Sequence, residues 1–196
     1  MNNQPYFLYH YYERGIGPFR TLTGLPFEKA RQVLLEQRAG RCKNPDIDGF
    51  LRHRYDRDQT LRELFIAKGG KPVRQSPVYM TLGEHRQWKS AYSRAAAVKI
   101  PLEEFDRLTL SFTYGDSFAV FNPALFGSEE YWNKLYFADE ILDVISRHGF
   151  PPYVEYDFKH GIYPKDKHIN HHLKYIEAHI WSNEVLEKYR PPTSNS

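Results

Sequence analysis

The stretch Tyr175-Ile-Glu-Ala-His-Ile-Trp181 decides the fold, because its two sets of alternating side chains differ in kind. A β-strand turns successive side chains to opposite faces of its sheet. One face of this strand is purely apolar and predicts contact with a core; it holds Ile176, Ala178 and Ile180. The other face combines aromatic rings with a carboxylate and an imidazole; it holds Tyr175, Glu177, His179 and Trp181.

The mixed face of this strand predicts the wall of a ligand cleft, with Glu177 as its central group. Partial desolvation in a cleft would raise the pKa of Glu177, and a nearby cation would lower it. The alternative interpretation is an exposed sheet face, on which Glu177 is solvated and the rings cover apolar surface.

A second strand with a histidine is predicted over residues 6–12, a segment rich in aromatic residues. His10 and Tyr12 share one of its faces, although a histidine on a strand can also be a hydrogen-bonded structural residue. The loop that follows contains two glycines, which allow backbone to approach a ligand closely. Arg14 and Arg20 flank the loop and are suited to phosphate. The spacing matches neither the Walker nor the dinucleotide-fold motif, so neither binding mode is predicted.

The remaining elements follow from the spacing of apolar residues and from turn signals. Helices are predicted over residues 26–40, 48–68, 138–148 and 184–189. Strands are predicted over residues 77–82, 96–100, 108–113, 118–121 and 174–181. Helices come early and strands mostly later, which predicts one globular α+β domain over residues 1–196 rather than alternating βαβ units. Residues 1–4 and 190–196 are predicted to be disordered.

Composition bears on the cellular setting. No stretch approaches about 18 apolar residues, so no membrane-spanning helix and no membrane partner are expected. The first residues lack a basic start followed by an apolar run, so no signal peptide is predicted. Cys42 is the single cysteine, which excludes an intramolecular disulfide and fits a reducing compartment. A cytoplasmic protein is therefore expected. No general base is placed beside Cys42, so it is not a predicted nucleophile.

The formal charge of +3 is unevenly spread along the chain. Residues 38–74 contain ten Lys or Arg and five acids, so that this region is net positive and the rest is slightly negative. A basic region attracts phosphate groups, and surface aromatic rings stack on bases. The first alternative to an enzyme is therefore a non-enzymatic module that binds nucleic acid or protein. A solvated helix face with mixed charges explains the same pattern.

A second alternative comes from histidines late in the chain, which suggest a metal-dependent hydrolase. These are His160, His168, His171, His172 and His179. Spacings of three and four residues can place two imidazoles on one helical turn. The segment 165–172 lacks helix signals, however, and a histidine-rich surface loop is the competing interpretation.

Five segments, taken in order, resemble the DNA-targeting ADP-ribosyltransferase toxins and their relatives. Tyr9-His10-Tyr11-Tyr12 is similar to their opening strand, and Leu25-Pro26 to the step into a helix. The other three are Ser76-Pro-Val-Tyr79-Met-Thr-Leu-Gly83, Phe112-Thr-Tyr-Gly-Asp116-Ser and Lys174-Tyr-Ile-Glu177-Ala-His-Ile-Trp181. The segment that begins at Phe112 departs from the Asp-Gly-Asn turn of that family. The likeness is spread over residues 6–187.

The resemblance implies an α+β fold with a mainly antiparallel, split or curved sheet and an NAD-dependent glycosyltransferase reaction. NAD, as substrate, would lie in a cleft between sheet edges. Glu177 would stabilise positive charge on the ribose as its bond to nicotinamide breaks. His10 would hydrogen-bond a ribose hydroxyl, and either Tyr79 or Tyr12 would stack on nicotinamide.

The resemblance also implies groups around the rest of the substrates. Three arginines are alternatives for the family's catalytic arginine and would contribute to NAD binding: Arg14, Arg20 and Arg54. Asp116 and His179 would contact the acceptor, which would be a nucleic acid or a protein. The early basic helix would face that acceptor.

Overall fold

The computed structural model describes residues 6–38, 46–85, 88–89, 92–125, 127–151 and 175–191, and in these ranges it is a mixed α+β structure. Five strands form its sheet: β1 Phe7–Glu13, β2 Val78–Leu82, β3 Ala95–Pro101, β4 Leu110–Thr113 and β5 Ile176–Ile180. Five α-helices accompany them in the described ranges: α1 Phe27–Arg38, α2 Ile47–Ala67, α3 Ser117–Val120, α4 Ala138–His148 and α5 Glu184–Lys188. The predicted α+β class is confirmed.

The sheet is open and antiparallel throughout, in the order β3-β1-β2-β5-β4. β1 pairs with β3 along its whole length, from Phe7 to Glu13. With β2, in contrast, β1 pairs only at Leu8 and Tyr9. β1 and β2 therefore separate after Tyr9, and a gap opens in the sheet at this point.

The core lies on the apolar face predicted from the last strand. Across the sheet, Ala178 pairs with Met80 and Phe112, and Ile180 with Val78. All three partners and both β5 residues are buried. α4 packs against β4 and adds the buried residues Ile141, Val144 and Ile145 to the core. A smaller cluster joins α1 to α2 through Ala30, Leu34 and Leu51.

One predicted strand is wrong. Residues 118–120 lie in the short helix α3 and Phe121 is its C-cap, because Asp116 caps the first turn of this helix. The Asp116 side chain accepts the backbone N–H of Phe118 at 2.9 Å, which is a helix-starting bond. An apolar run of four residues carries no period that separates the two structures. Likewise, β4 begins at Leu110, since residues 107–109 form a 3₁₀ turn.

Several sequence predictions concern residues outside the described ranges. They include Cys42, the histidines at 160, 168, 171 and 172, and, of the ends predicted to be disordered, residues 1–4 and 192–196. No helix in the described ranges is both long enough and apolar enough to cross a membrane.

Candidate functional site

A cavity of about 300 Å³ lies at the gap where β1 separates from β2. It brings together six of the nine predicted site residues: His10, Arg20, Arg54, Tyr79, Asp116 and Glu177. Further rings complete its lining: Tyr9, Tyr11, Trp88, Tyr92, Phe118 and Tyr175. Segments from the beginning, middle and end of the described chain thus meet at one hollow.

The other three predicted residues lie elsewhere. Tyr12 lines an adjoining groove of about 1040 Å³, which shares His10 and Arg20 with the cavity. Arg14 is exposed and lines neither hollow. His179 is fully buried directly behind Glu177. Arg14 is therefore the weakest of the three arginine alternatives, and Arg20 and Arg54 remain.

Glu177 is held in place by donors on three sides. Its Oε1 accepts the backbone N–H of Ser117 at 3.2 Å and lies 3.0 Å from Nε2 of His179. Its Oε2 lies 3.4 Å from the Tyr175 hydroxyl. Burial would raise the pKa of Glu177, but the hydrogen bonds and charge of His179, together with Ser117, outweigh burial and lower it. Glu177 is therefore a carboxylate kept ionised inside the protein.

A hydrogen-bond chain behind Glu177 fixes His179. Ser111 Oγ lies 3.2 Å from Nδ1 of His179, and the indole N–H of Trp181 donates to the same oxygen at 2.9 Å. Glu177 is 6% exposed, while the other three residues of this chain are fully buried. The mixed face of β5 is thus covered, and the interpretation of a solvated, exposed face is wrong.

Asp116 is the second acid of the cavity, and its environment differs from that of Glu177. Tyr175 OH lies 3.1 Å from Oδ2 of Asp116. Burial and the neighbouring charge of Glu177 raise the pKa of Asp116 from its ordinary value of 3.8 to about 6. The hydrogen bonds from Phe118 and Tyr175 and the charge of Arg54 oppose this rise but do not cancel it. Two nearby acids with opposite shifts are typical of sites that divide acid and base roles.

The raised pKa of Asp116 predicts a pH-dependent stability difference for Asp116→Asn. The folded state holds this proton more tightly than the unfolded state, so the wild type loses stability relative to the variant as pH rises from about 3.8 to about 6. Above that window the difference is constant. Across this window we expect the melting temperature of the variant, relative to that of the wild type, to rise by about 6–12 °C, because about two pKa units correspond to about 3 kcal/mol. Thermal unfolding at several pH values measures it, and a pH-independent difference would contradict the shift.

Two arginines of α2 provide positive charge at the site. The Arg54 guanidinium lies 5.3 Å from the ring centres of both Tyr79 and Phe118. Arg57 is buried against Phe118 and Phe121, and its Nε has no hydrogen-bond partner within the described part of the chain. Burial lowers the pKa of Arg57, although the charges of Tyr79, Asp116 and Glu177 oppose this. Part of the basic region therefore faces inward, towards the two acids.

Contacts at the hydroxyl and around the ring hold Tyr79 in place. Its hydroxyl donates to Asp58, and Thr23 donates to the other oxygen of the same carboxylate at 2.5 Å. Burial raises the pKa of Asp58, and the bonds from Thr23 and Tyr79 oppose this rise. One face of the Tyr79 ring is approached by Arg54, and the His179 ring meets it edge-on at 5.5 Å.

His10 fills the gap between the separated strands. Its Nε2 accepts the backbone N–H of Phe19 at 3.0 Å, so the ring proton lies on Nδ1, which is 2.9 Å from the carbonyl oxygen of Tyr79. Burial lowers the pKa of His10, and the bond to Tyr79 opposes this. The register places His10 on the sheet face opposite Glu177, because Tyr9 is the residue aligned with Thr81 and Glu177. His10 reaches the cavity only through the gap.

The backbone of Phe19 depends on the position of the His10 ring. Its φ of 62° is in the left-handed region, which is uncommon for an aromatic residue and costs energy. The bond to His10 and burial of the Phe19 ring hold it there. Since Arg20 follows directly, His10 fixes the backbone from which Arg20 enters the cavity.

Sequence reasoning missed Asp58 and Arg57. Asp58 does carry a signal, since it lies three residues after Tyr55 and three before Leu61, on the apolar stripe of α2. A carboxylate on a buried stripe requires hydrogen-bond donors and thereby indicates a polar network. Arg57 lies four residues before the fully buried Leu61, on the same side of the helix.

Comparison with known proteins found no matching family model, no matching curated protein and no matching solved structure. The resemblance to ADP-ribosyltransferases accordingly stays a prediction from the sequence.

Proposed function

We propose that the protein is an NAD-dependent ADP-ribosyltransferase whose reaction takes place in the cavity at the gap between β1 and β2. The observation that supports this most is the ionised Glu177, which lines a partly apolar cavity together with cations and aromatic rings. A carboxylate fixed by hydrogen bonds costs no reorganisation when positive charge develops beside it. Cleavage of the bond between nicotinamide and ribose develops such a charge on the ribose.

The charges around the cavity suit NAD. Arg20 lines both the cavity and the adjoining groove, and Arg54 lies at the cavity. A guanidinium group can donate two hydrogen bonds to the oxygens of one phosphate. We therefore assign Arg20 and Arg54 to the pyrophosphate of NAD. The cavity and the groove share a wall, and their volumes lie in the range of natural ligand sites. The nicotinamide end would occupy the cavity, and the remainder would extend along the groove.

The aromatic residues of the site support a planar ligand. Of the two alternatives for stacking on nicotinamide we choose Tyr79, because its ring lines the cavity and its hydroxyl is fixed by Asp58. Tyr12 lies in the groove and would contact a more distant part of NAD.

The role that we propose for His10 differs from the one that the family resemblance implies. Both of its ring nitrogens are engaged with backbone atoms, so the ring has no free polar atom for a ribose hydroxyl. His10 acts instead as a positioning residue, which keeps the strands apart and holds Phe19 and Arg20. The acceptor, a nucleic acid or a protein, would approach on the side of Asp116, while His179 acts through Glu177.

NAD binding tests the proposal directly. Calorimetric titration of the full chain with NAD is expected to show saturable binding. Arg54→Ala should weaken it about 10-fold or more, since hydrogen bonds to charged groups contribute about 1.5–3 kcal/mol. Arg52→Ala is the matched control, because Arg52 is an exposed arginine of the same helix that does not line the cavity. Absence of NAD binding by the folded wild type would contradict the proposal.

A further inference from the structure

Asp116, Tyr175 and Glu177 form a chain of three oxygen-bearing groups at the wall of the cavity. The Tyr175 hydroxyl lies 3.1 Å from Oδ2 of Asp116 and 3.4 Å from Oε2 of Glu177. All three residues line the cavity. We propose, on the basis of the transferase function above, that Asp116 accepts the proton of the attacking group, and that the acceptor is therefore a protic nucleophile such as a hydroxyl or water.

The number of protons in this chain supports the proposal. A tyrosine hydroxyl has one proton, so it can donate to only one of the two carboxylates at a time. When Asp116 and Glu177 are both ionised, the Tyr175 hydroxyl donates its proton to one carboxylate. The oxygen of the other carboxylate then faces the hydroxyl oxygen with no proton between the two atoms. One added proton on Asp116 completes the chain, since Asp116 then donates to Tyr175 and Tyr175 donates to Glu177. The site is therefore built to hold one proton more than two carboxylates carry.

That extra proton belongs on Asp116 rather than on Glu177. Oε1 of Glu177 already accepts Ser117 N–H and faces Nε2 of His179, so the ionised form of Glu177 is stabilised. Asp116 has one backbone donor, from Phe118, and it is less deeply buried than Glu177. The partial exposure of Asp116 is towards the cavity that it lines.

The charges that face Asp116 come from two elements. Glu177 lies on β5 and Tyr175 directly precedes this strand, and the charge of Glu177 favours the protonated form of Asp116. Arg54 and Arg57 lie on α2, and Arg54 favours the ionised form. With a pKa of about 6, Asp116 is mostly ionised at neutral pH and can still take up a proton during a reaction.

The step balances as follows. The bond between the ribose carbon and the nicotinamide nitrogen breaks, and its electron pair leaves with nicotinamide. A lone pair of the acceptor oxygen forms the new bond to the ribose carbon. The proton of that oxygen moves to Asp116 and afterwards to solvent. No oxidant, reductant or further reactant is required.

The proton site is tested without any substrate by infrared titration of the protonated carboxyl band. The wild type is expected to show a carboxyl group that titrates near pH 6 and that Asp116→Asn removes. Tyr175→Phe should change the pH at which this group titrates, because it removes the bridging hydroxyl. If the group that titrates near pH 6 remains in Asp116→Asn, the proposal is overturned, regardless of whether the protein binds or cleaves NAD.

The proton transfer is tested by the rate of NAD hydrolysis, with water as the acceptor. Loss of a general base should lower kcat of Asp116→Asn by about 100-fold or more, with NAD binding by calorimetry unchanged. Asp116→Glu should recover part of the rate. The wild-type rate should rise with pH through about 6, and this rise should be missing from Asp116→Asn.

The outcomes separate the two proposals. Hydrolysis by the wild type at a rate that Asp116→Asn leaves unchanged would overturn the role of Asp116 and leave the transferase function standing. Failure of the wild type to cleave bound NAD would overturn both.

Discussion

Replacement of Glu177 by Gln is expected to slow NAD cleavage by about 10²–10³-fold, as the loss of one preorganised electrostatic contact does in other enzymes. The amide keeps the size of the carboxylate and can still accept the Ser117 N–H, so the fold and NAD binding should survive. Only the negative charge is lost. Its effect is largest when the ribose becomes positive, so kcat should fall far more than affinity.

Release of nicotinamide, followed by chromatography, measures this effect. Glu103→Gln makes the same chemical change at an exposed position outside the cavity and serves as the control. It should leave the rate unchanged. A Glu177→Gln variant that retains the full wild-type rate would show that the buried carboxylate has no part in the chemistry.

Replacement of His10 by Ala is expected to lower the free energy of unfolding by about 3–5 kcal/mol. The buried N–H of Phe19 and the carbonyl of Tyr79 both lose their partner. Each unsatisfied group costs about 1–3 kcal/mol, and the cavity left by the ring adds to this. If His10 were only a ligand contact, the same substitution would leave stability nearly unchanged.

Denaturant unfolding of the full chain measures the loss. His53→Ala is the matched control, because His53 is exposed on α2 and loses only an edge-on contact with the Phe118 ring at 4.9 Å, which is worth about 0.5–1.5 kcal/mol. Equal stabilities of His10→Ala and His53→Ala would contradict the positioning role of His10. The expected effect also differs in kind from that of Asp116→Asn, whose stability relative to the wild type rises with pH up to about 6.

The architecture was largely predictable, because most elements have a clear period and clear ends. The strand at 175–181 shows this best, since its alternation separated the apolar face from the face that carries Glu177. Helix α4 was equally clear, with its apolar stripe and Gly149 directly after its last residue. The strand prediction for residues 118–121 failed because a short apolar run has no period. The helix cap by Asp116 decides the structure of this segment.

Most residues of the site could be predicted from the sequence, but their arrangement in space could not. Side-chain alternation showed that Glu177 and His10 lie on unusual strand faces. It could not show that β1 and β2 pair at only two positions, because register depends on contacts between distant segments. Both the gap and the engagement of His10 with backbone follow from that short pairing. For the same reason, the proximity of Asp116 to Glu177 becomes visible only in three dimensions.

Amide NMR of the full chain during titration with NAD tests most directly the central claim, that the hollow between β1 and β2 is the binding site. Saturable chemical-shift changes are expected at residues that line the cavity, such as Tyr9, Arg54, Tyr79 and Glu177. Further changes are expected in the groove, at Tyr12. Shifts confined to the opposite side of the molecule, for example around Lys134 and Arg147, or no shifts at saturating NAD, would contradict it.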